Sequence, residues 1–285
     1  MNEDRPVPPS TGLGAWWDPI GAEMSFVMMH FTRAYIDGLA SCDPVSRREI
    51  SPARQKGGVA MTDSDMREAA DWKAVHDFWF PASLEGANFE THLQRVKWWM
   101  MGGANAELGR FAPTVQAAKS GRLDHWLAEP LGRLSLIVVL DQFPRGLFAG
   151  TPEAFASDGT VLRIVEKGFE NRHFNSLPGL WERFFFLLPL IHAEGPDHLA
   201  RIQRVISIWE TLAADVPEHL LPLHKGALGR ARAHFDVIAR FGRFPHRNAI
   251  VGRRSTPREE EYIARGDFVH TRPISSDELG LDRPT

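Results

Sequence analysis

Three stretches of this chain carry the side-chain types that acid–base or anion chemistry needs. The densest is Phe235 to Asn248, which places Arg240, Arg243, His246, Arg247 and Asn248 around the expected end of a helix and the loop after it. Six arginines and no acidic residue lie between Arg240 and Arg258. Arg240 suits a helix C-terminus, where the macrodipole favours a cation. The remaining charge needs anions, from the protein's own carboxylates or from a ligand. Guanidinium groups grip planar carboxylates and phosphates through two parallel hydrogen bonds. The plain alternative is an internal ion-pair network with a solvated surface.

The second stretch is Asp141-Gln142-Phe143-Pro144-Arg145, after a strongly apolar run. A buried helix ending in Asp and Gln delivers polar groups to the edge of a core. Asp141 and Arg145 stand one turn apart and pair if the helix persists, and Pro144 opposes that persistence. The third is His192-Ala193-Glu194, placed in a loop. A histidine and a carboxylate two residues apart suit a general base with its orienting group, or two metal ligands. A metal needs further ligands, and His234, Asp236 and His246 are available. No HExxH-type spacing supports one, so no metal is expected. Phosphate loops, dinucleotide fingerprints and nucleophile elbows are absent, so no cofactor and no serine or cysteine nucleophile is expected. Trp98, Trp99, Trp126, Trp181 and Trp209 read as core.

The elements that must hold these residues read as helices. Val75, Phe78 and Trp79 form an apolar stripe that Pro81 ends, and Phe89, Leu93, Val96 and Trp98-Trp99 continue at helical spacing. Phe111, Val115 and Ala118 give another helix with Gly121 as its stop. Leu131 to Leu140 reads as a buried helix, since no alternating strands surround it. Thr151-Pro152 opens a helix over 153–167, with Gly168 as its stop. Apolar Trp181 to Ile191 is interrupted by Pro189. Helices follow at Leu199 to Ala213 and Leu221 to Arg240, the latter ended by Gly242 and Pro245. Thr256-Pro257-Arg258-Glu259 is a capping-box start. Little alternation and no Asn-Gly turn are found, so an all-α domain of antiparallel neighbours is expected.

The first 70 residues differ in texture. Residues 1–14 are polar and rich in proline and glycine. Met24, Val27, Met28, Phe31, Tyr35 and Leu39 form one apolar helical stripe, for packing within the chain or for a homo-oligomer or partner contact. Residues 43–64 read as a linker. The expected organisation is an N-terminal extension over 1–70, a helical domain over 71–265 and a tail over 266–285.

Composition limits the partners. Of 285 residues, 33 are Lys or Arg and 36 are Asp or Glu, a formal charge of −3, which disfavours a globally basic nucleic-acid binder. A lone cysteine, Cys42, excludes a disulfide framework or a cysteine zinc site. Met1 to Pro9 lacks an apolar signal core. Ile20 to Leu39 contains Glu23, His30, Arg33 and Asp37, which argues against a membrane span. A cytoplasmic location is expected.

Asp77-Phe78-Trp79-Phe80, Leu140 to Arg145, Gly150-Thr151-Pro152, His192-Ala193-Glu194, Ala239 to Asn248 and Ser255-Thr256-Pro257 together resemble the bacterial family catalogued as domain of unknown function 924. The resemblance covers about residues 71–265. It implies a tetratricopeptide-like array of antiparallel helices and no settled activity. The family commonly reads His-Ser-Glu where this chain has Ala193, one hydroxyl fewer.

Both readings lead to one expectation. The Asp141–Arg145 turn, the His192–Glu194 loop and the Arg240–Asn248 turn line one polar pocket. Gln142, Arg145, Arg240, Arg243, Arg247 and Asn248 bind a small anionic ligand, a carboxylate or a phosphate. His192 or His246 transfers a proton, oriented by Glu194 or Asp141. The rival is a scaffold that binds a peptide or protein, in which these motifs make closed ion pairs and a groove lies elsewhere. RNA binding through Arg240–Arg258 ranks third and requires an exposed basic stripe.

Overall fold

The computed structural model describes residues 69–266, 268–270 and 272. The Met24–Leu39 stripe, the 1–14 segment and the 43–64 linker lie outside the described residues, as does most of the tail.

The described residues are helical and contain no strand. Helix α1 (Trp72–Trp79) starts where the Asp71 side chain accepts from the Ala74 amide. Helix α2 (Phe89–Met100) starts in the same way, with Asn88 accepting from Thr91. These caps satisfy amides that the first helical turn leaves unpaired. A single helical turn (Asn105–Leu108) precedes α3 (Ala112–Lys119), and Gly121 beyond its end takes a positive φ of 76°.

Helix α4 (Pro130–Leu147) is central among the described helices and packs against α1, α3, α5 (Asp158–Glu170) and α6 (Leu180–His192). Its run from Leu134 to Leu140 is buried on every side, as an uninterrupted apolar run requires. The two polar residues in its first half are fully used. Arg133 donates to the Leu127 and Ile164 carbonyls and to His173 Nδ1, and Ser135 donates to the Trp72 carbonyl.

Helix α7 (His198–Leu212) packs against α6 and α8 (Leu221–Phe241), and α9 (Pro257–Arg265) packs against the turn Pro245–Arg247. Gly242 ends α8 in the left-handed conformation with φ 70°. The capping box of Thr256 and Glu259 forms as its sequence predicts. Trp99, Trp126, Trp181 and Trp209 are core residues, and Trp98 packs partly buried against that core. No helix among the described residues is long and apolar enough to cross a membrane.

Four expectations are corrected. The Thr151-Pro152 signal opens a short 3-10 turn (Pro152–Phe155), and the α-helix begins at Asp158. Gly168 does not stop that helix, which runs on to Glu170. A Cβ at Gly168 would lie 2.6 Å from Phe186 and 2.7 Å from Arg133, so this glycine permits close packing instead. Helix α4 does not end at Asp141 but continues through Pro144. Likewise His192 is the last residue of α6, not a loop residue, and α6 contains Pro189.

Candidate functional site

The site is built where α4 and α6 present their polar residues. Asp141, only 1% exposed, accepts from His192 Nδ1 at 3.0 and 2.9 Å, one contact to each oxygen. Gln142 Nε2 also donates to Asp141, and Arg145 approaches it at 3.1 Å across one helical turn. Burial alone would raise the Asp141 pKa. Arg145, and then the charge and hydrogen bond of His192, outweigh burial and hold it well below the usual carboxylate range. Asp141 is therefore ionised, and the proton between the pair sits on His192 Nδ1. With Nδ1 committed to Asp141, Nε2 is the ring nitrogen left for proton exchange.

Helix α7 fixes the end of α6 that carries this histidine. Arg201 donates to the Leu190 and Ala193 carbonyls at 2.9 and 2.8 Å, and His198 Nε2 donates to the Ile191 carbonyl at 2.6 Å. The carbonyls that a helix end leaves unpaired are thus met by neighbouring side chains.

Asp158, at the start of α5, links the second arginine. Its two oxygens take Arg145 at 2.9 Å and Arg247 at 3.1 Å. Arg145 also donates to the Ala154 carbonyl. Asp141 and Asp158 raise the Arg145 pKa against the opposing effect of burial. Arg247 is 6% exposed and stacks over Phe155 and Phe244 at 4.3 and 4.6 Å. Burial, then repulsion from Arg145, brings its pKa down to about 10. Its Nε is buried without a hydrogen-bond partner among the described residues.

Glu194 lies just past α6. It accepts from the Phe244 amide at 2.7 Å and pairs with both terminal nitrogens of Arg253. Burial raises its pKa, but Arg253 and the Phe244 amide lower it further than that, with Arg247 and the Arg253 charge adding to them. Glu194 is thus an anchor for the 244–253 segment, with its acceptor capacity largely taken.

Histidines complete the cluster. His246 lies 4.2 Å from His270 between ring centroids, and His234 and His246 lie 5.5 and 5.4 Å from Phe244. The Nδ1 atoms of His234 and His246 are buried without a hydrogen-bond partner among the described residues. Burial, aided by neighbouring positive groups, pushes both pKa values well below the ordinary histidine value. His270 is exposed at its surface, yet desolvation is the largest influence on it and lowers its pKa to about 4. His192 acts electrostatically on both His234 and His270, so the four imidazoles share one neighbourhood with Arg145 and Arg247.

Asp141, Gln142, Arg145, His192, Glu194, His246 and Arg247 therefore come together. Arg240, Arg243 and Asn248 do not join them. Arg240 is exposed on α8 and stacks on Phe241 at 4.9 Å. Arg243 is spent on Glu259 at 2.7 and 2.9 Å and on the Arg254 carbonyl. Asn248 is fully buried and donates to Ser255. Three carboxylates, Asp141, Asp158 and Glu194, meet three guanidiniums, Arg145, Arg247 and Arg253, so the cluster is balanced in charge. Sequence reading missed Asp158, Arg253 and His270. Arg253 stood within the arginine-rich stretch, but Asp158 and His270 carry no local signal. No set of metal-holding side chains occurs among the described residues.

Comparison with curated proteins finds no match. Among solved structures, a protein of unknown function from Agrobacterium tumefaciens is similar. It is 31% identical, with a TM-score of 0.54, over 68% of this chain and 97% of that one. A model of the bacterial family of unknown function DUF924 matches residues 75–267, which include every residue of the site except His270. The chain belongs to this DUF924 family.

Proposed function

We propose that the side-chain cluster at the ends of α4 and α6 binds a small anionic molecule, a carboxylate or a phosphate ester, and that His192 exchanges a proton with it. The observation that carries this reading is the Asp141–His192 pair. A buried, ionised carboxylate holds the imidazole by Nδ1 and leaves Nε2 as the acid–base atom, at 17% side-chain exposure. Net charge does not draw the anion, since the surrounding ion pairs cancel. Attraction falls to groups with hydrogen-bonding capacity left, here the Arg247 Nε and the imidazoles of His234 and His246.

The test is calorimetric titration of the full chain with inorganic phosphate, malonate and citrate. The expected result is saturable binding of at least one, lost in Arg247→Gln and retained in Arg240→Gln. Absence of binding by all three, or equal loss in the two variants, overturns the reading.

A second reading has its own support. Arg145, Arg243 and Arg253 are closed in ion pairs, as a scaffold built on a tetratricopeptide-like array would have them. On that reading the cluster fastens the last helices to the core, and a partner peptide binds elsewhere. Loss of stability in Arg247→Gln, with no binding of any of the three anions by the unaltered chain, would favour it.

A further inference from the structure

A large cavity lies away from this cluster, at the other end of α6. It encloses about 670 Å³, within the roughly 300–1,000 Å³ of small-molecule sites. Its walls are the end of α1 with the loop after it, His92 of α2, the start of α6 and the connection between α7 and α8. Glu182 in this wall and His192 at the opposite helix end are separated by ten residues, about 15 Å along the axis.

The lining is acidic. Asp77, Glu85, Glu182 and Asp215 face Arg183 alone among fixed cations. Asp77 is answered by Lys73 outside the cavity at 2.6 Å. Glu182 is sheltered, with 15% side-chain exposure, and has no lysine or arginine partner among the described residues. Its nearest ionisable neighbour is His76, 3.9 Å away, beyond hydrogen-bond distance.

His92 adds an independent sign of a ligand. It is 5% exposed, and its Nδ1 accepts from Trp181 Nε1 at 2.8 Å. An indole nitrogen only donates, so the His92 proton must sit on Nε2. Burial, and then the charge of His219, lower its pKa and keep the ring neutral. The Nε2–H finds no acceptor among the described residues, and the residue lines the cavity. The ring is held by Trp181 and buried apart from this edge, so the Nε2–H is a fixed donor that opens on the cavity and is met there by water or by an oxygen of a bound molecule. Trp181, which orients this donor, precedes Glu182 in the chain, so donor and carboxylate belong to one wall. Phe80 and Leu220 supply apolar surface beside them.

We propose that this cavity is a second binding site, for a small organic ammonium ion whose apolar body carries a carbonyl or hydroxyl oxygen. The ammonium group pairs with Glu182, the oxygen accepts from His92 Nε2–H, and the apolar body covers Phe80 and Leu220. This assignment stands apart from the anion reading and shares no residue with it.

Phenylalaninamide is a suitable probe, having a cation, a carbonyl and an apolar ring. Titrated into the full chain, it should bind saturably. N-acetylphenylalaninamide, which lacks the cation, and 3-phenylpropionate, which reverses the charge, should bind at least about tenfold more weakly. Glu182→Gln should lose about tenfold in affinity for the probe, and Arg247→Gln should lose none. In the unaltered protein the ring nitrogen resonances of His92 should shift on titration, a readout that does not depend on a variant folding. No binding, equal binding of the uncharged analogue, full affinity in Glu182→Gln, or unmoved His92 resonances at saturation would each overturn the proposal.

Discussion

Arg145 and Arg247 close on one carboxylate from its two sides, at 2.9 Å to Asp158 Oδ1 and 3.1 Å to Oδ2. The residues come from α4, α5 and the turn after α8, so this bridge ties the last third of the described chain to its central helix. Arg145 keeps a second partner in Asp141, whereas Arg247 has Asp158 alone among the carboxylates of the described residues within pairing distance.

Asp158→Asn should therefore strand Arg247 more than Arg145. Removing one partner of a largely buried pair leaves a desolvated charge, and the expected loss is about 3 kcal/mol in urea unfolding. The double variant Asp158→Asn with Arg247→Met, which removes that charge too, should recover part of the loss. A double variant as unstable as the sum of the two singles would show that the bridge does not couple them.

Asp141→Leu removes the anchor of His192 and one partner of Arg145. A loss of about 3 kcal/mol in unfolding free energy is expected, by the same argument. The ring nitrogens of His192 provide a second measurement. In the unaltered protein Nδ1 carries the proton, and in the variant the resonances should move toward the Nε2–H form. An unchanged tautomer would remove the basis for His192 as the acid–base group.

Acid should weaken the fold from just below neutrality. His234, His246 and His270 have pKa values lowered by the fold, so below about pH 6.5 the unfolded chain binds protons that the native one refuses. Stability is fully present above the unfolded value of 6.5 and falls with pH, for His270 down to its folded value of about 4. Thermal unfolding from pH 8 to pH 4 should show this slope, and His234→Gln should flatten it. The lowered carboxylates Asp141 and Glu194 add a further loss at lower pH, as they protonate below their ordinary range.

Arg243→Ala should act on stability and not on anions. Arg243 is the largest cause of the Glu259 pKa falling to about 2, and Glu259 also closes the capping box of α9. The expected cost is about 1–2 kcal/mol, from the lost charge-assisted hydrogen bonds and the weakened cap. Calorimetric affinity for a bound anion should stay within about twofold, since under 0.5 kcal/mol separates such values.

Gly168→Ala tests the packing explanation of that residue. A methyl group there meets both the Phe186 ring and the Arg133 stem, so overpacking should cost about 1–3 kcal/mol in urea unfolding. A neutral or stabilising effect, as expected for glycine to alanine in an open helix, would refute the close-approach argument.

Local chemistry made several of these features readable from the chain. The Asp141–Arg145 pair follows from helical spacing, the start of α9 from Thr256 and Glu259, and the end of α8 from Gly242. Each depends on residues within five positions of one another. The partner of Glu194 is Arg253, 59 positions away, and Asp158 reaches Arg247 across 89. Side-chain type alone does not choose among six nearby arginines, which is why Arg243 reads as a ligand residue and proves to be tied to α9. The large cavity was hidden for the same reason, because its wall is drawn from four separate parts of the chain.

Both helices that meet at the Asp141–His192 pair carry a proline three residues from it, Pro144 after Asp141 and Pro189 before His192. Each proline deletes one amide, so the Leu140 and Phe185 carbonyls lose their usual partner four residues on. The rungs that would fix the two reactive groups by backbone alone are thus interrupted on both sides. Their alignment is inherited from cross-helix anchors such as Arg201, and an engineer wishing to re-aim the imidazole would begin with those anchors rather than with the histidine itself.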